Sequence, residues 1–169
     1  QKGRQYSVFT DYLEDKNYWG LSSLLRTGDY FNVQMCYHDI PEHLNPFDYE
    51  TFDKNPSKGY AVVTNIETGL AEYLPMKNMH RNIDAVRASA SMPLVSRPVE
   101  INGKLYLDGG LADSIPLLHA VTDGCRKNVV VMTKETGYRR VQPKHLELIK
   151  ARYAKYPKVY ELMANRAAA

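Results

Sequence analysis

The chain has 169 residues, of which 44% are hydrophobic and 24% charged, a balance that is typical of one globular domain and excludes a disordered chain. Its net charge of +3 is uneven, because residues 1–125 carry 11 basic and 16 acidic side chains, whereas residues 126–169 carry 11 and 3. Two cysteines, Cys36 and Cys125, exclude a four-cysteine metal cage, and no apolar run approaches the roughly 20 residues of a membrane-spanning helix.

The first third of the chain predicts short helices and loops. Apolar residues recur at helical spacing over residues 6–25, with an interruption near residues 17–20. Glycine, asparagine, aspartate and proline are frequent over residues 26–57, which favours loops with helical turns near Pro41 and after Asn45–Pro46.

The middle of the chain predicts strands around one helix. The β-branched run at residues 59–67 indicates a buried strand, and residues 70–74 form a second one after a turn. Residues 80–91 have helical spacing and end at Met92–Pro93, since proline disfavours helix in the residue before it. Asn102–Gly103 between alternating apolar residues then predicts a hairpin with a two-residue turn.

The rest of the chain predicts helices and one more strand. Asp113 or Ser114 is expected to cap a helix that ends at Gly124. Residues 128–133 are largely apolar and predict a strand that is covered on both faces. Two basic helices are expected at residues 143–156 and 158–165. The predicted class is α/β with a mixed sheet, but the strongly apolar strands are too few for the centre of such a sheet.

The most informative short segment is Tyr106–Gly110, in which a carboxylate, Asp108, ends a strand and two glycines follow. Carboxyl ends of strands face the ligand crevice in α/β sheets, so Asp108 is a candidate general base beside an open groove. Gly109 and Gly110 permit a sharp turn and a close approach to the carboxylate. The alternative is an ordinary Asp-Gly turn without catalysis.

A longer pattern surrounds this segment. Residues 88–116 read ASASMPLVSRPVEINGKLYLDGGLADSIP, which closely resembles the patatin-like phospholipases, and residues 24–29 and 45–50 are similar to a bacterial branch of that family. The resemblance implies a three-layer α/β/α fold and a Ser-Asp dyad in which Asp108 is the aspartate and Gly109 and Gly110 are the motif glycines. It also implies an enzyme of lipid degradation that hydrolyses carboxylic ester bonds without a metal or other cofactor. His119, otherwise a rival base, is then expected to occupy a packed helix position.

The family's Gly-x-Ser-x-Gly nucleophile elbow is missing from these residues. Its nearest counterpart is Gly20-Leu-Ser-Ser-Leu24, where Leu24 replaces the second glycine and no apolar strand precedes it. Ser22 is therefore expected to be a surface or helix-start residue. We expect residues 1–142 to be the C-terminal part of the hydrolase domain and residues 143–169 to be a basic helical extension. The nucleophile and the central strands would then lie upstream, and this chain alone would be inactive.

A second hypothesis is a non-catalytic patatin scaffold that binds lipid or a membrane. In both cases the basic residues after position 125 could contact an anionic membrane surface. The alternative is solvated helix faces, which their scattered positions favour. The protein is expected to be cytoplasmic or peripheral to a membrane. Nucleic-acid binding is disfavoured, because these basic residues are not interleaved with aromatic ones and form no known motif.

Overall fold

The computed structural model describes residues 2–135, 137–139, 141 and 143–166. Helices and strands alternate irregularly along the chain. The helices are α1 (Arg4–Tyr12), α2 (Leu21–Thr27), a π-helix (Met35–Leu44), α3 (Tyr49–Lys54), α4 (Ile83–Ser89), α5 (Leu117–Thr122), α6 (Leu146–Arg152) and α7 (Pro157–Asn165). The strands are β1 (Tyr60–Asn65), β2 (Ala71–Pro75), β3 (Val99–Ile101) and β4 (Lys104–Asp108), and β4 runs into a 3-10 turn at Gly109–Leu111.

The four strands form one sheet in the order β2-β1-β4-β3. Every neighbouring pair is antiparallel, so the α/β class is confirmed, but the parallel pairs of a mixed sheet are not found among the described strands. The physical reason is connectivity, because β1–β2 and β3–β4 are hairpins and β4 returns beside β1 in the opposite direction. Val63 of β1 lies opposite Asp108 of β4.

Helices cover both faces of the sheet. On one face, Val63 and Tyr106 pack with Ala88 of α4. On the other face, Leu107 packs with Ile149 of α6 and with residues of α7. Alternate residues of a strand point to opposite faces, so adjacent Tyr106 and Leu107 serve different clusters. The described part of the chain therefore has the expected three-layer α/β/α arrangement.

The β3–β4 hairpin has the predicted two-residue turn. Asn102 and Gly103 have φ angles of 52° and 77°, and positive φ at both central residues is the requirement of a type I′ turn. The turn fixes where β4 begins. Strand β4 is five residues long and ends at Asp108. A local signal in the sequence therefore sets the position of the candidate base.

The strand predicted at residues 128–133 is wrong. These residues are in no strand, and the side chains of Val129 and Val131 are 93% and 84% exposed. An apolar run becomes a buried strand only where neighbouring strands pair with it and both faces are covered, and none of the described strands lies beside this run. The two basic helices are confirmed with shorter bounds, as α6 and α7.

The N-terminal helices pack around a separate cluster that includes Tyr18, Met35 and Ile40. Asp29 joins this part to the segment that follows α4, because its Oδ1 accepts a hydrogen bond from the Arg97 backbone N–H at 2.9 Å. Within the described ranges, no helix is both long and apolar enough to cross a bilayer.

Candidate active site

Asp108 lies at the carboxyl end of β4, as predicted, and hydrogen bonds fix its turn on three sides. Its backbone N–H donates to Ser91 O at 2.9 Å, and its carbonyl oxygen accepts from Thr64 Oγ1 at 2.8 Å. Its own carboxylate oxygen Oδ1 accepts from the Gly110 N–H at 2.7 Å. The second carboxylate oxygen, Oδ2, is therefore the one that this turn leaves for another donor.

The two glycines after Asp108 have different roles. A Cβ at Gly109 would lie 2.2 Å from the carbonyl oxygen of Val62, so only glycine lets the turn approach β1 this closely. A Cβ at Gly110 would lie 3.1 Å from Asp108 Oδ1, which is tight but not prohibitive. Gly109 therefore seats the turn against the sheet, and Gly110 presents an N–H to the carboxylate.

The electrostatic surroundings make Asp108 a better base than an exposed aspartate. Burial raises the pKa of Asp108 above its usual value, while the hydrogen bond from Gly110 and the positive charge of Arg166 act to lower it. A carboxyl group with a raised pKa holds a proton more strongly. The carboxylate is half-buried.

A groove of about 1140 Å³ begins three residues after Asp108 and is lined by Leu111 and the next four residues, by residues 131–135 and by α7. Asp108 itself is not among its lining residues. The expectation that the Asp108 side chain points into an open groove is therefore not met by this groove.

Asp113 was expected to cap the helix after the turn, and this prediction is wrong. Helix α5 begins at Leu117, with Pro116 at the N-cap position and no side-chain cap. Asp113 Oδ2 instead accepts a hydrogen bond from the Tyr73 hydroxyl group at 2.6 Å. Ser114, the other proposed cap, donates from Oγ to the carbonyl oxygen of Gly110 at 2.9 Å. A tertiary contact takes the place of capping at Asp113, and a local hydrogen bond to the preceding turn does so at Ser114.

His119 is held in an aromatic stack. Its ring lies 3.7 Å from the Tyr73 ring with an interplanar angle of 3°, and it meets the edge of Tyr60 at 5.2 Å. These contacts agree with the packed position expected for His119 and give it no role at the Asp108 turn.

Neither Ser22 nor Cys36 is well placed to act as a nucleophile. Ser22 is exposed in the first turn of α2. In the described residues, α2 follows helix α1 and an isolated bridge between Trp19 and Phe31 rather than a strand, so the strand-to-helix elbow is not formed there. Burial raises the pKa of Cys36 to about 12, which keeps this thiol protonated and unreactive at neutral pH. In the described ranges, no group of three His, Cys, Asp or Glu side chains could hold a metal ion.

Sequence reasoning missed the residues that support Asp108. Thr64 holds the Asp108 carbonyl oxygen and also accepts a hydrogen bond from the Ala112 N–H at 3.3 Å. It lies 44 residues before Asp108, so no local pattern announces the contact. The available signal was a threonine inside an otherwise apolar strand, because a buried hydroxyl group requires a partner.

Comparison with known proteins gives two findings. The family model described as patatin-like phospholipase matches residues 4–121. The chain is also similar to the uncharacterized protein YjjU of Escherichia coli (strain K12), with 39% identity over 62 residues. That alignment covers 36% of this chain and 17% of the relative, so the matched part is a small fraction of the longer protein.

Proposed function

The chain belongs to the patatin-like phospholipase family, and from this premise we propose that it supplies the aspartate of a Ser-Asp dyad to a lipid acyl hydrolase. The observation that supports the proposal best is the Asp108 turn itself. A half-buried carboxylate ends β4, the two motif glycines follow it, and burial raises its pKa. These are the properties that a general base requires.

The proposed reaction proceeds in two steps. Asp108 takes the proton of a serine hydroxyl group while the serine oxygen attacks the carbonyl carbon of a lipid ester. The protonated Asp108 gives this proton to the departing alkoxide, so the alcohol leaves and an acyl-enzyme remains. Asp108 then takes a proton from water, which attacks the acyl-enzyme, and returns this proton to the serine oxygen as the fatty acid is released. No metal or other cofactor takes part in these steps, since the carboxylate carries out the proton transfer.

The serine of the dyad is proposed to come from outside these 169 residues, because none of them forms a Gly-x-Ser-x-Gly elbow. The exposed apolar surface supports this proposal. Leu118, Val121, Val129 and Val131 are each more than half exposed, and such a concentration marks a surface that another part of a protein covers. In this proposal the chain alone is inactive, and the remainder of the hydrolase domain completes it.

The proposed substrate is a lipid carboxylic ester at a membrane surface. The excess of basic side chains after residue 125 favours contact with anionic headgroups, at about 1 kcal/mol for each lysine or arginine near the surface. This preference would place the protein at the membrane periphery during turnover. It would raise the local substrate concentration without contributing to the chemical step.

The test is Asp108→Asn in the full-length protein, assayed on a soluble short-chain nitrophenyl ester. Asparagine keeps the size of the side chain and can still accept a hydrogen bond from Gly110, but it cannot take a proton. We expect turnover to fall by about 10²–10⁴ with an unchanged circular dichroism spectrum. Full activity in Asp108→Asn would overturn the assignment of the base.

Asp113→Asn is the matched control. The asparagine carbonyl group can still accept the hydrogen bond from Tyr73, so activity and stability should change little. The 169-residue chain alone should give no turnover. If the full-length protein binds anionic vesicles but hydrolyses no ester, a lipid-binding module replaces the enzyme as the function.

A further inference from the structure

Arg166 lies immediately after α7 and reaches back to the turn that carries Asp108. Helix α7 packs against the Gly109–Leu111 turn, where Leu111 shares a core cluster with Val159 and Met163. The Arg166 Nη2 atom lies 3.8 Å from the point that a Cβ on Gly110 would occupy. The guanidinium group is therefore placed beside the glycines of the candidate site by a helix from the far end of the chain.

We propose that Arg166 is a positioning residue for Asp108, whose positive charge beside the Gly109–Gly110 turn keeps the carboxylate ionised. The proposal rests on the proposed function, because it concerns the same base. It assigns the last helix a role in the active site, although the sequence pattern around Asp108 ends some fifty residues earlier. In this view α7 places Arg166 beside the turn that carries Asp108.

The charge balance at Asp108 supports this role. Burial raises the pKa of Asp108, and Arg166 is the charged side chain in the described part of the chain that acts to lower it. Of the elements packed against the turn, α7 also carries Lys158 and Glu161, which pair with each other at 2.7 Å. From β1 the contact is the neutral hydroxyl group of Thr64, and on α4 Arg87 is paired with Asp84 at 3.6 Å.

Two opposing effects therefore keep the base useful. Burial makes Asp108 a stronger proton acceptor. Burial alone would also raise the pH below which the carboxyl group is protonated and can no longer act as a base. A positive charge nearby favours the ionised form. Arg166 thus extends the pH range in which Asp108 is ionised while the site stays partly buried.

The test compares the pH dependence of kcat/KM for Arg166→Met, Arg166→Gln and Arg166→Lys in the full-length protein. A soluble nitrophenyl ester removes any effect of membrane binding. We expect the acidic midpoint to move upward in both neutral variants and to return toward the original value in Arg166→Lys. Arg81→Met is the control, because Arg81 is exposed and lies outside the site, and the midpoint of this variant should not move.

A second measurement does not depend on activity. The titration of the Asp108 carboxyl carbon can be followed by nuclear magnetic resonance in the same full-length variants, with Asp108→Asn to identify the signal. An upward shift in Arg166→Met and in Arg166→Gln supports the inference, and an unchanged titration in both overturns it. Absence of hydrolysis in the unmodified protein instead overturns the proposed function, so the two failures are distinguishable.

Discussion

Position 109 has no space for a side chain. A Cβ there would lie 2.2 Å from the Val62 carbonyl oxygen and 2.8 Å from the Val62 Cβ, so Gly109→Ala must push the turn away from β1. We expect a loss of about 1–3 kcal/mol in the free energy of unfolding, the range found for overpacked sites. Urea denaturation measures this loss.

Gly59→Ala is the matched control for that substitution. Neither glycine has a positive φ, but a Cβ at Gly59 would meet the Met76 Cβ at an ordinary contact distance of 3.6 Å. Gly59→Ala should therefore change the free energy of unfolding by no more than about 0.5 kcal/mol. Equal losses in the two variants would contradict the close approach of the turn to β1.

Single residues were predictable where their partners are close in sequence. Asn102–Gly103 was recognised because a type I′ turn depends on the two residues themselves. Asp113 was misassigned as a helix cap because its partner, Tyr73, lies 40 residues away. The local sequence is the same whether the Asp113 carboxylate caps a helix or accepts a hydrogen bond from a distant hydroxyl group. The sequence therefore could not decide between these two roles.

Among the elements, a single carboxylate of β2 makes side-chain hydrogen bonds to both β1 and β4. Glu72 of β2 accepts hydrogen bonds from Asn65 Nδ2 and the Tyr106 hydroxyl group at 2.8 Å and from Lys104 Nζ at 3.1 Å. Burial alone would raise the pKa of Glu72, but these hydrogen bonds together lower it. The ionised carboxylate therefore stabilises the packing of three strands.

The expected consequence is a stability difference that depends on pH. Because the folded-state pKa is lowered, the contribution of Glu72 is present above its ordinary value of 4.5 and is lost as the pH falls through the folded-state value. Glu72→Gln should cost about 1 kcal/mol at pH 7 and much less near pH 3, as measured by urea denaturation at each pH. Glu100→Gln is the control, because Glu100 is the exposed residue of β3, and an equal pH-dependent loss there would contradict the network.

Elements were predicted well where a local pattern determines them. Strand β1 follows from its β-branched run, and the hairpin follows from its turn. The π-helix was predicted only as a helical turn near Pro41, since its wide turns depend on bonds such as Asn45 N–H to Ile40 O at 2.8 Å. The apolar run at residues 128–133 was misassigned because burial depends on neighbours that the run does not encode.

At the scale of the whole molecule, the C-terminal helices complete the core. Ile149 of α6 is 2% exposed and packs with Leu107 of β4 and Val159 of α7. The prediction that residues 143–169 form an extension of the hydrolase domain stays a prediction, but these helices share a hydrophobic cluster with the sheet. Removing their buried side chains should therefore destabilise the entire fold.

Two adjacent residues make a matched test of this dependence. Ile149→Ala should lower the free energy of unfolding by about 2–5 kcal/mol because it leaves a cavity. Leu148 is 59% exposed, so Leu148→Ala should change it by less than about 0.5 kcal/mol. Thermal unfolding should show one transition that shifts only for Ile149→Ala. A similar shift for both variants would mean that α6 does not cover the sheet.

The connection between the sheet and these last two helices has a practical consequence. In the isolated 169-residue chain, residues 121–135 are all exposed and include Arg126, Lys127 and Lys134, so trypsin can cut there without prior unfolding. A cut would leave two polypeptides that share the hydrophobic cluster of Ile149, Val159 and Leu107. The same segment offers a place to divide the gene, and we expect two separately produced pieces to reassemble when mixed.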